Sequence, residues 1–333
     1  MAAFPGVLTG QSPVKNATDC CFPPNALSTF VYCGDETEFE NLLGYKKNGY
    51  HPVMLGDELP KPQTCVSDES MQPRYRVLLK LGFGAFGTVW MARDLVEELR
   101  NVSIKILSGS EIPCPSTEGL VLRSIRDDGL GCRGHDRILR FYDSFTIQGP
   151  NGFHECLVTE TVAPLCHSLV WDEASPRFMT QLIEGFSFLH DQGIAHGDPH
   201  TNNFGIALPQ LDQLEEKTIV SFHANPEVMP VIPRDPRFPM HTIPPYQIRT
   251  ADMTELLNFI NTPLTTAEAN IKIIDFGRAH WVAEPLPELH GAVPLHIRPP
   301  EVEVYRRSWG NEGSAWSQAA RRLGLGLIGQ SFP

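Results

Sequence analysis

The feature that most constrains the fold is a glycine-rich segment between two runs of strand-forming residues. Residues 81–89 read LGFGAFGTV, with the pattern Gly-x-Gly-x-x-Gly at Gly82, Gly84 and Gly87. Glycines in this pattern let backbone N–H groups approach phosphate oxygens without a Cβ in the way. A dinucleotide-binding turn would require a helix to follow, whereas a β-rich run follows here. The context favours a hairpin that covers a nucleotide, and a glycine hairpin without a ligand remains the alternative.

The runs around this segment predict an antiparallel sheet of five strands. Two strands flank the glycines, a third covers residues 101–107, and two more surround the turn signal Gly-Pro-Asn-Gly at 149–152. A short helix fits near 117–126. From Phe178 the apolar residues follow the spacing of one helix face, and Gly193 stands where a C-terminal cap would end that helix. The chain therefore changes from mainly β to mainly helical.

Composition excludes several classes of protein. The 333 residues include 27 Lys and Arg against 39 Asp and Glu, a net charge of −12, which argues against a generic binder of nucleic acids or anionic membranes. No run of apolar residues reaches the length of about 18 that a membrane helix needs. The eight cysteines include no CxxC pair, which favours free thiols. We expect a monomeric, soluble, intracellular protein of the cytoplasm or nucleus.

Lys105 lies among apolar residues on the third predicted strand. A lysine there can hold phosphates if a carboxylate fixes its position, and Glu118 on the short helix is a candidate partner. The alternative is a solvated lysine with an unrelated surface glutamate.

The loop HGDPHTNN after the second predicted helix carries Asp198 and Asn203. An Asp and an Asn at this spacing can accept a hydroxyl proton and bind a phosphate-bridging metal, respectively. Asp275, in Asp-Phe-Gly after a predicted strand, is suited to chelating magnesium. A zinc site made of His196, Asp198 and His200 is less favoured, because the loop's glycine and proline remove the helix that would align such ligands.

These motifs occur in one order: glycine hairpin, strand Lys, helix Glu, His-x-Asp with its Asn, Asp-Phe-Gly, then Pro-Pro-Glu at 299–301. In this order the chain resembles the eukaryotic protein kinases. It is more closely similar to the serine/arginine-rich-protein (SR-protein) kinases, on the segment YKKNGYHPV at 45–53 with Gly-Asp after it. A long insertion between the catalytic loop and Asp-Phe-Gly is also typical of that family.

The resemblance implies an α+β, two-lobed fold with an antiparallel five-stranded N-lobe and a mainly helical, incomplete C-lobe. Residues 1–40 mix Pro, Gly, Ser, Thr and Cys without helical or strand periodicity, which predicts a loosely ordered leader. The resemblance implies an N-lobe with its lead-in at 41–162 and a partial C-lobe at 163–333. Within the C-lobe, residues 205–270 form an insertion with a proline-rich middle, which we interpret as an extended excursion.

The family roles, carried to this sequence, imply an ATP site with Mg²⁺. Asp198 would be the catalytic base, with Lys105, Glu118 and His200 completing the catalytic set. Thr159 would be the gatekeeper, Asn203 and Asp275 would hold the metal, and Glu301 would pair with an arginine. The residues that would contact ATP are Leu81, Gly82, Phe83, Gly84, Gly87, Val89, Lys105, Glu160 and Val162.

Three residues of the catalytic loop depart from the family pattern. Gly197 stands where many kinases have arginine, so we expect activity that does not require phosphorylation of the activation loop. His200 replaces the lysine that normally meets the γ-phosphate, and histidine is at most partly charged at pH 7. Pro199 restricts the backbone of Asp198 to extended conformations.

We therefore expect phosphoryl transfer from ATP to Ser or Thr of a protein substrate, with Arg/Ser-rich proteins as one candidate class. One alternative is a pseudokinase that binds nucleotide or a partner without turnover, motivated by the short C-lobe. Another is a small-molecule phosphotransferase, because HGDxH loops also occur in aminoglycoside and choline phosphotransferases.

Overall fold

The computed structural model describes residues 26–34, 38–97, 100–128, 131–165, 171–224, 226–262 and 269–282. The Pro-Pro-Glu segment with Glu301 lies outside these residues. Within them the fold has the predicted α+β class, with a curled antiparallel sheet in the first lobe. Among the described residues, no helix combines the length and the apolar character needed to cross a membrane.

The strands differ widely in length, and the long ones belong to the first lobe. They are β1 Glu58–Leu59, β2 Tyr75–Gly84, β3 Gly87–Asp94, β4 Asn101–Leu107, β5 Phe141–Gly149, β6 Gly152–Thr159, β7 Val162–Pro164, β8 Ile194–Ala195, β9 Phe204–Ala207, β10 Val228–Pro230, β11 Tyr246–Ile248, β12 Ile271–Ile273 and β13 His280–Trp281.

Five α-helices and five single-turn 3₁₀ helices complete the described elements. The α-helices are α1 Ala26–Thr29, α2 Thr117–Asp128, α3 Trp171–Asp191, α4 Glu216–Phe222 and α5 Met253–Phe259. The 3₁₀ turns are Leu42–Gly44, His135–Arg137, Thr201–Asn203, Pro209–Leu211 and Met240–Thr242.

The first-lobe sheet has six strands in the order β1-β2-β3-β4-β6-β5, all antiparallel. Five are the predicted ones, and the turn that joins β5 to β6 is closed by Gly149 opposite Gly152, as expected. The prediction of five strands was short by one, because Glu58–Leu59 forms an edge strand on β2. A strand of two residues is too short to show a period of two in the sequence.

Helix α3 runs through the core of the second lobe. Its apolar face, which includes Phe178, Leu182, Phe186 and Leu189, is buried in a cluster with α2, β9 and β12. The helix begins at Trp171, before the apolar spacing that starts at Phe178, so the pattern did not reveal its first turns. It ends as predicted, because Gly193 adopts a φ of +68° just beyond Asp191.

The insertion, residues 205–270, was placed with the C-lobe from the sequence, but much of it packs on the first lobe. Leu208, Leu211, Ile219 and Leu256 share a buried cluster with Leu78, Leu79 and Met91 of β2 and β3. The buried side-chain amide of Asn101 donates to the carbonyls of Leu211 (2.7 Å) and Leu214 (2.8 Å). Its proline-rich middle contains one short strand, β10, which pairs with β11. The excursion is therefore a docked layer on the sheet.

In contrast to the expected loose leader, the described residues of 26–40 are packed. Phe30 and Phe39 are buried, and Phe30 forms a β-bridge with Pro233 of the insertion. The carboxylate of Glu40 pairs with Lys80 of β2, and both side chains are almost fully buried. Buried charges are stable only when they are paired, so Glu40 and Lys80 must stay in contact. The pair therefore joins the N-terminal segment to the sheet.

Candidate active site

A single cavity of about 460 Å³ between the lobes is lined by every residue proposed for the site. These are Leu81, Gly82, Phe83, Gly84, Gly87, Val89, Lys105, Glu118, Glu160, Val162, Asp198, His200, Asn203 and Asp275. They come from the β2–β3 hairpin, β4, α2, the segment after β6, the loop after β8 and the end of β12. The structure thus brings together positions that are up to about two hundred residues apart in the chain.

The three glycines of the hairpin have different roles. A Cβ on Gly82 or Gly84 would meet nothing within 4 Å, so their backbone faces open space at the cavity. Gly87 has a φ of +150°, and a Cβ there would lie 2.1 Å from the carbonyl oxygen of Ile106. Gly82 and Gly84 therefore form the exposed cradle, whereas Gly87 is needed for the close approach of β3 to β4.

Lys105 is the centre of a three-residue ion network. Its Nζ lies 2.9 and 2.7 Å from the two carboxylate oxygens of Glu118 and 2.9 Å from Oδ1 of Asp275. Strand β4, helix α2 and the turn after β12 converge here, which confirms the predicted contact between Lys105 and Glu118. These three contacts match the three donors of the ammonium group, so the two carboxylates fix the position of Lys105 at the wall of the cavity.

The network shifts the pKa values of its members. Burial alone would lower the pKa of Lys105, but attraction to Glu118 and Asp275 outweighs burial and raises it. Burial raises the pKa of Glu118 despite Lys105, and Asp275 adds to that rise. Burial opposes ionisation of Asp275, yet Lys105 lowers its pKa. Lys105 and Asp275 are therefore both charged at neutral pH.

The loop after β8 places Asp198, His200 and Asn203 on one side of the cavity. The Asn203 amide nitrogen donates to the backbone carbonyl of Asp198 over 2.9 Å, which leaves its amide oxygen as the atom that can serve a cation. His200 Nε2 lies 3.6 Å from Oδ2 of Asp198. The other carboxylate oxygen of Asp198, Oδ1, is buried and has no hydrogen-bond partner among the described residues.

His196 has a structural role in the site. Its Nε2 lies 2.9 Å from the carbonyl of Ile274, and its ring packs 5.1 Å from that of Phe276. The imidazole therefore joins the loop that carries Asp198 to the segment around Asp275. Within the described part of the chain, no group of three or more His, Cys, Asp or Glu side chains is arranged to hold a metal ion, so the zinc alternative has no support.

Thr159, Glu160 and Val162 line the cavity, as expected for an adenine-binding segment. The Glu160 side chain points to Lys272, 2.8 Å away, and accepts from the backbone N–H of Arg140 over 2.6 Å. The Glu160 side chain is thus occupied, and only its backbone is available to a ligand. Backbone contact with adenine is the role that the family resemblance implies for this residue. Val162 opens strand β7, which pairs with β9.

Sequence reasoning missed one stretch that lines the cavity and one residue that contacts its lining. Residues 250–254 of the insertion line it, next to the start of the glycine hairpin, where the Ala251 N–H donates to the Lys80 carbonyl over 2.8 Å. Arg278, shortly after Asp275, reaches Asp198. No pattern in the sequence reveals either of them, because both depend on contacts between distant segments.

The residues present fit a magnesium nucleotide. Asp198 Oδ1 is a buried, unpartnered oxygen, and Asp275 adds a carboxylate with a depressed pKa. Carboxylate and amide oxygens are the ligands that Mg²⁺ prefers, and open glycine backbone with a fixed lysine suits phosphates. Asp275 itself holds a left-handed φ of +59°, a sparsely populated conformation that is typical of functional positions.

Comparison with known proteins agrees with this geometry. No family model matches the chain. The serine/threonine-protein kinase spk-1 of Caenorhabditis elegans is 30% identical over 201 residues, which are 57% of this chain and 18% of that protein. Protein kinase dsk1 of Schizosaccharomyces pombe is 31% identical over 186 residues, or 53% and 32% of the two chains. Human SRSF protein kinase 3 is 30% identical over 183 residues, or 51% and 30%.

The fold and the cavity together define a protein-kinase-like chain. Its first lobe is an antiparallel sheet, and the cavity lies beneath the glycine hairpin of that sheet. Over about half of its length, the chain is similar to protein kinases of the SR-protein kinase family. It spans less than a third of the length of these curated relatives. Its relatives are serine/threonine-protein kinases, a class that uses ATP and Mg²⁺ in general.

Proposed function

We propose that this chain binds ATP with Mg²⁺ and transfers the γ-phosphoryl group to Ser or Thr of a protein substrate. The observation that carries the proposal is the convergence of Lys105, Glu118, Asp198, Asn203 and Asp275 on one cavity beneath the glycine hairpin. An accidental set of motifs would not produce this convergence. Catalysis in this class rests on positioning and on neutralising charge, and both need this arrangement.

Each residue then has one task. Lys105, held by Glu118, supports the phosphates, and the backbone of Gly82 and Gly84 covers them. Asn203 and Asp275 would hold Mg²⁺, which supplies positive charge to the phosphates when bound. In the transfer, the substrate hydroxyl oxygen bonds to the γ-phosphorus, the bond from that phosphorus to the β-phosphate oxygen breaks, and the hydroxyl proton moves to Asp198. ADP and the phosphorylated protein are the products.

The proposed substrate class is Arg/Ser-rich protein. The human relative is named an SRSF protein kinase. A net charge of −12 also favours encounter with a basic peptide, since opposite charges steer association. We further propose a monomer that acts in the cytoplasm or nucleus, where such substrates would be met without nucleic-acid or membrane binding by this chain.

The test is a radiolabel transfer assay with an Arg/Ser peptide and MgATP, combined with a nucleotide-binding measurement. Asp198→Asn keeps the shape of the side chain, so we expect nucleotide binding to persist while transfer falls about 10² to 10⁴-fold. Lys105→Met should weaken both. Lys46→Met, a lysine of the lead-in segment outside the cavity, is the matched control and should change neither. Transfer that survives Asp198→Asn would overturn the assignment of roles.

A nucleotide-binding module without turnover is the second candidate, favoured by the catalytic loop itself. His200 lies in the position of the loop lysine, and Asp198 is already close to His200 and Arg278. Such a module would bind MgATP and phosphorylate no peptide. Transfer to an aminoglycoside or to choline, but not to protein, would instead support a small-molecule phosphotransferase.

A further inference from the structure

Arg278 lies between the tip of the glycine hairpin and the proposed catalytic base. Its Nε is 3.4 Å from Oδ2 of Asp198. Its guanidinium carbon is 5.8 Å from the centre of the Phe86 ring, at the end of the hairpin. A cation therefore contacts two residues that line the cavity, Asp198 and Phe86.

The contact between Arg278 and Asp198 leaves one hydrogen-bond donor of Arg278 unused. Arg278 Nε is buried and makes no hydrogen bond to any described residue, so its approach to Asp198 is an ion pair without hydrogen-bond geometry. Buried polar groups normally have partners, so Arg278 has a donor that the described residues do not use, on a side chain that is 22% exposed. A guanidinium is always charged and binds phosphate oxygens with several donors.

Gly197 explains why Arg278 can occupy this place. A Cβ at Gly197 would lie 2.2 Å from the carbonyl oxygen of Arg278, and Gly197 has a φ of +82°. The backbone of residue 278 therefore lies directly against the catalytic loop, in space that any side chain at 197 would take. The position of the Arg278 backbone therefore depends on a glycine at position 197.

We propose that Arg278 supplies positive charge to the γ-phosphate, the task of the loop lysine that His200 replaces. This inference rests on the proposed function and names a further catalytic residue for it. An arginine provided in the same chain stabilises the charge of phosphoryl transfer in other nucleotide-dependent enzymes. Asp198 holds the guanidinium on the cleft side, and the Phe86 ring covers it from the hairpin.

The first readout is binding rather than activity. We would measure MgATP and MgADP affinity by calorimetry at one salt concentration for the native chain and for Arg278→Gln, which removes the charge and keeps similar bulk. A γ-phosphate contact predicts about tenfold weaker ATP binding, with ADP binding within about twofold, because charge-assisted hydrogen bonds have this strength. Arg278→Lys should retain much of the ATP preference. Arg237→Gln, an exposed arginine paired with its neighbour Asp235, should change neither affinity.

The second readout is rescue of transfer. Arg278→Gln should lower kcat for peptide phosphorylation by about 10² to 10³-fold, near the lower range for loss of such an arginine. Adding His200→Lys to that variant restores a cation next to Asp198, so kcat should recover about tenfold or more. A purely structural Arg278 would not be rescued by a lysine at position 200.

The outcomes separate the two proposals. A native chain that binds neither nucleotide overturns both. If the native chain binds ATP and transfers phosphate, but Arg278→Gln keeps the ratio of ATP to ADP affinity, the role of Arg278 is overturned and the proposed function stands. If Arg278→Gln melts below the assay temperature, Arg278→Lys and Arg278→Met decide by the same ratio: a ratio kept by lysine and lost by methionine supports the inference, and equal ratios overturn it.

Discussion

The hydroxyl of Tyr50 donates a hydrogen bond to the backbone carbonyl of Gly84, with 2.9 Å between the two oxygens. This contact ties the segment that suggested the family, residues 45–53, to the glycine hairpin. The same segment holds two other loops: the Asn48 N–H donates to the Asn151 carbonyl over 2.6 Å, and the Gly49 carbonyl accepts from the Gly109 N–H over 2.8 Å. The lead-in is therefore a brace for the nucleotide-facing end of the sheet.

Tyr50→Phe should loosen the glycine hairpin without unfolding the lobe. The variant removes one partly exposed hydrogen bond, which contributes about 0.5 to 1.5 kcal/mol, and keeps the ring against Tyr45. We expect the KM for ATP to rise about two- to tenfold while kcat changes little. Tyr32→Phe, at an exposed tyrosine, is the control. An unchanged KM together with an unchanged hydrogen-exchange rate at Gly84 would contradict the brace.

Removing one partner of the buried pair Lys80 and Glu40 should strongly destabilise the protein. Lys80→Met leaves the Glu40 carboxylate buried without its cation, a change that costs about 3 to 5 kcal/mol in other proteins. The double variant Lys80→Met with Glu40→Gln should recover part of the loss, because no buried charge remains. The measurement is the free energy of unfolding in urea. Lys47→Met breaks the exposed pair with Glu111 and should leave that free energy unchanged.

His51 should make stability fall as the solution becomes acidic. Burial, with smaller effects from His154 and Lys61, lowers the pKa of His51 to about 3 from an ordinary value of 6.5. Between those values the unfolded chain binds a proton that the folded chain does not, so stability is complete above pH 6.5 and declines below it. At pH 5 the loss is about 2 kcal/mol from this residue.

The measurement is urea unfolding at pH 7 and at pH 5 for the native chain and for His51→Gln, which cannot titrate. The difference between the two pH values should be smaller in the variant. His241→Gln, at an exposed histidine, should keep the native difference. An identical pH dependence in His51→Gln would show that His51 is accessible to protons in the folded state.

Gly197→Ala should impair the site through a collision with Arg278. The added Cβ would meet the Arg278 carbonyl at 2.2 Å, and the φ of +82° is itself unfavourable for alanine. Gly56→Ala separates the two effects, because Gly56 has a φ of +81° and nothing within 4 Å of its Cβ position. We expect Gly56→Ala to cost about 1 kcal/mol, and Gly197→Ala to cost more and also to lower ATP affinity. Equal effects on unfolding and no change in binding would contradict the packing described for Gly197.

The elements that the sequence predicted well are those with a local signal. The glycine hairpin, the strand that bears Lys105 and the helix that bears Glu118 each have a period or a motif, and the structure forms all three. The contact of Lys105 with Glu118 was implied by the resemblance and is present at 2.7 Å. The contact of Lys105 with Asp275 was not anticipated, although both positions were proposed.

The features that sequence reasoning missed are long-range. Tyr50 meets Gly84, and Glu40 meets Lys80, through tertiary packing that no spacing encodes. The insertion shows the same limit, because its prolines correctly argued against long regular elements but said nothing about which lobe it contacts. Leu211 and Ile219 are buried only because β2 and β3 offer them an apolar face. Composition alone does not identify that face.

The path of the insertion also has a mechanical consequence. The backbone enters the second lobe after residues 159–162, packs on β2 and β3 of the first lobe between Leu208 and Leu257, and lies again in the second lobe at Ile271. Two lobes joined by one connection can rotate apart as rigid bodies, whereas a chain that passes between them more than once restricts that rotation. Asn101 and Arg76 form hydrogen bonds that hold the insertion on the sheet. Wide opening of the cleft would require these contacts to break. Entry and exit of a bound nucleotide would then depend on local movement of the hairpin tip rather than on rotation of whole lobes.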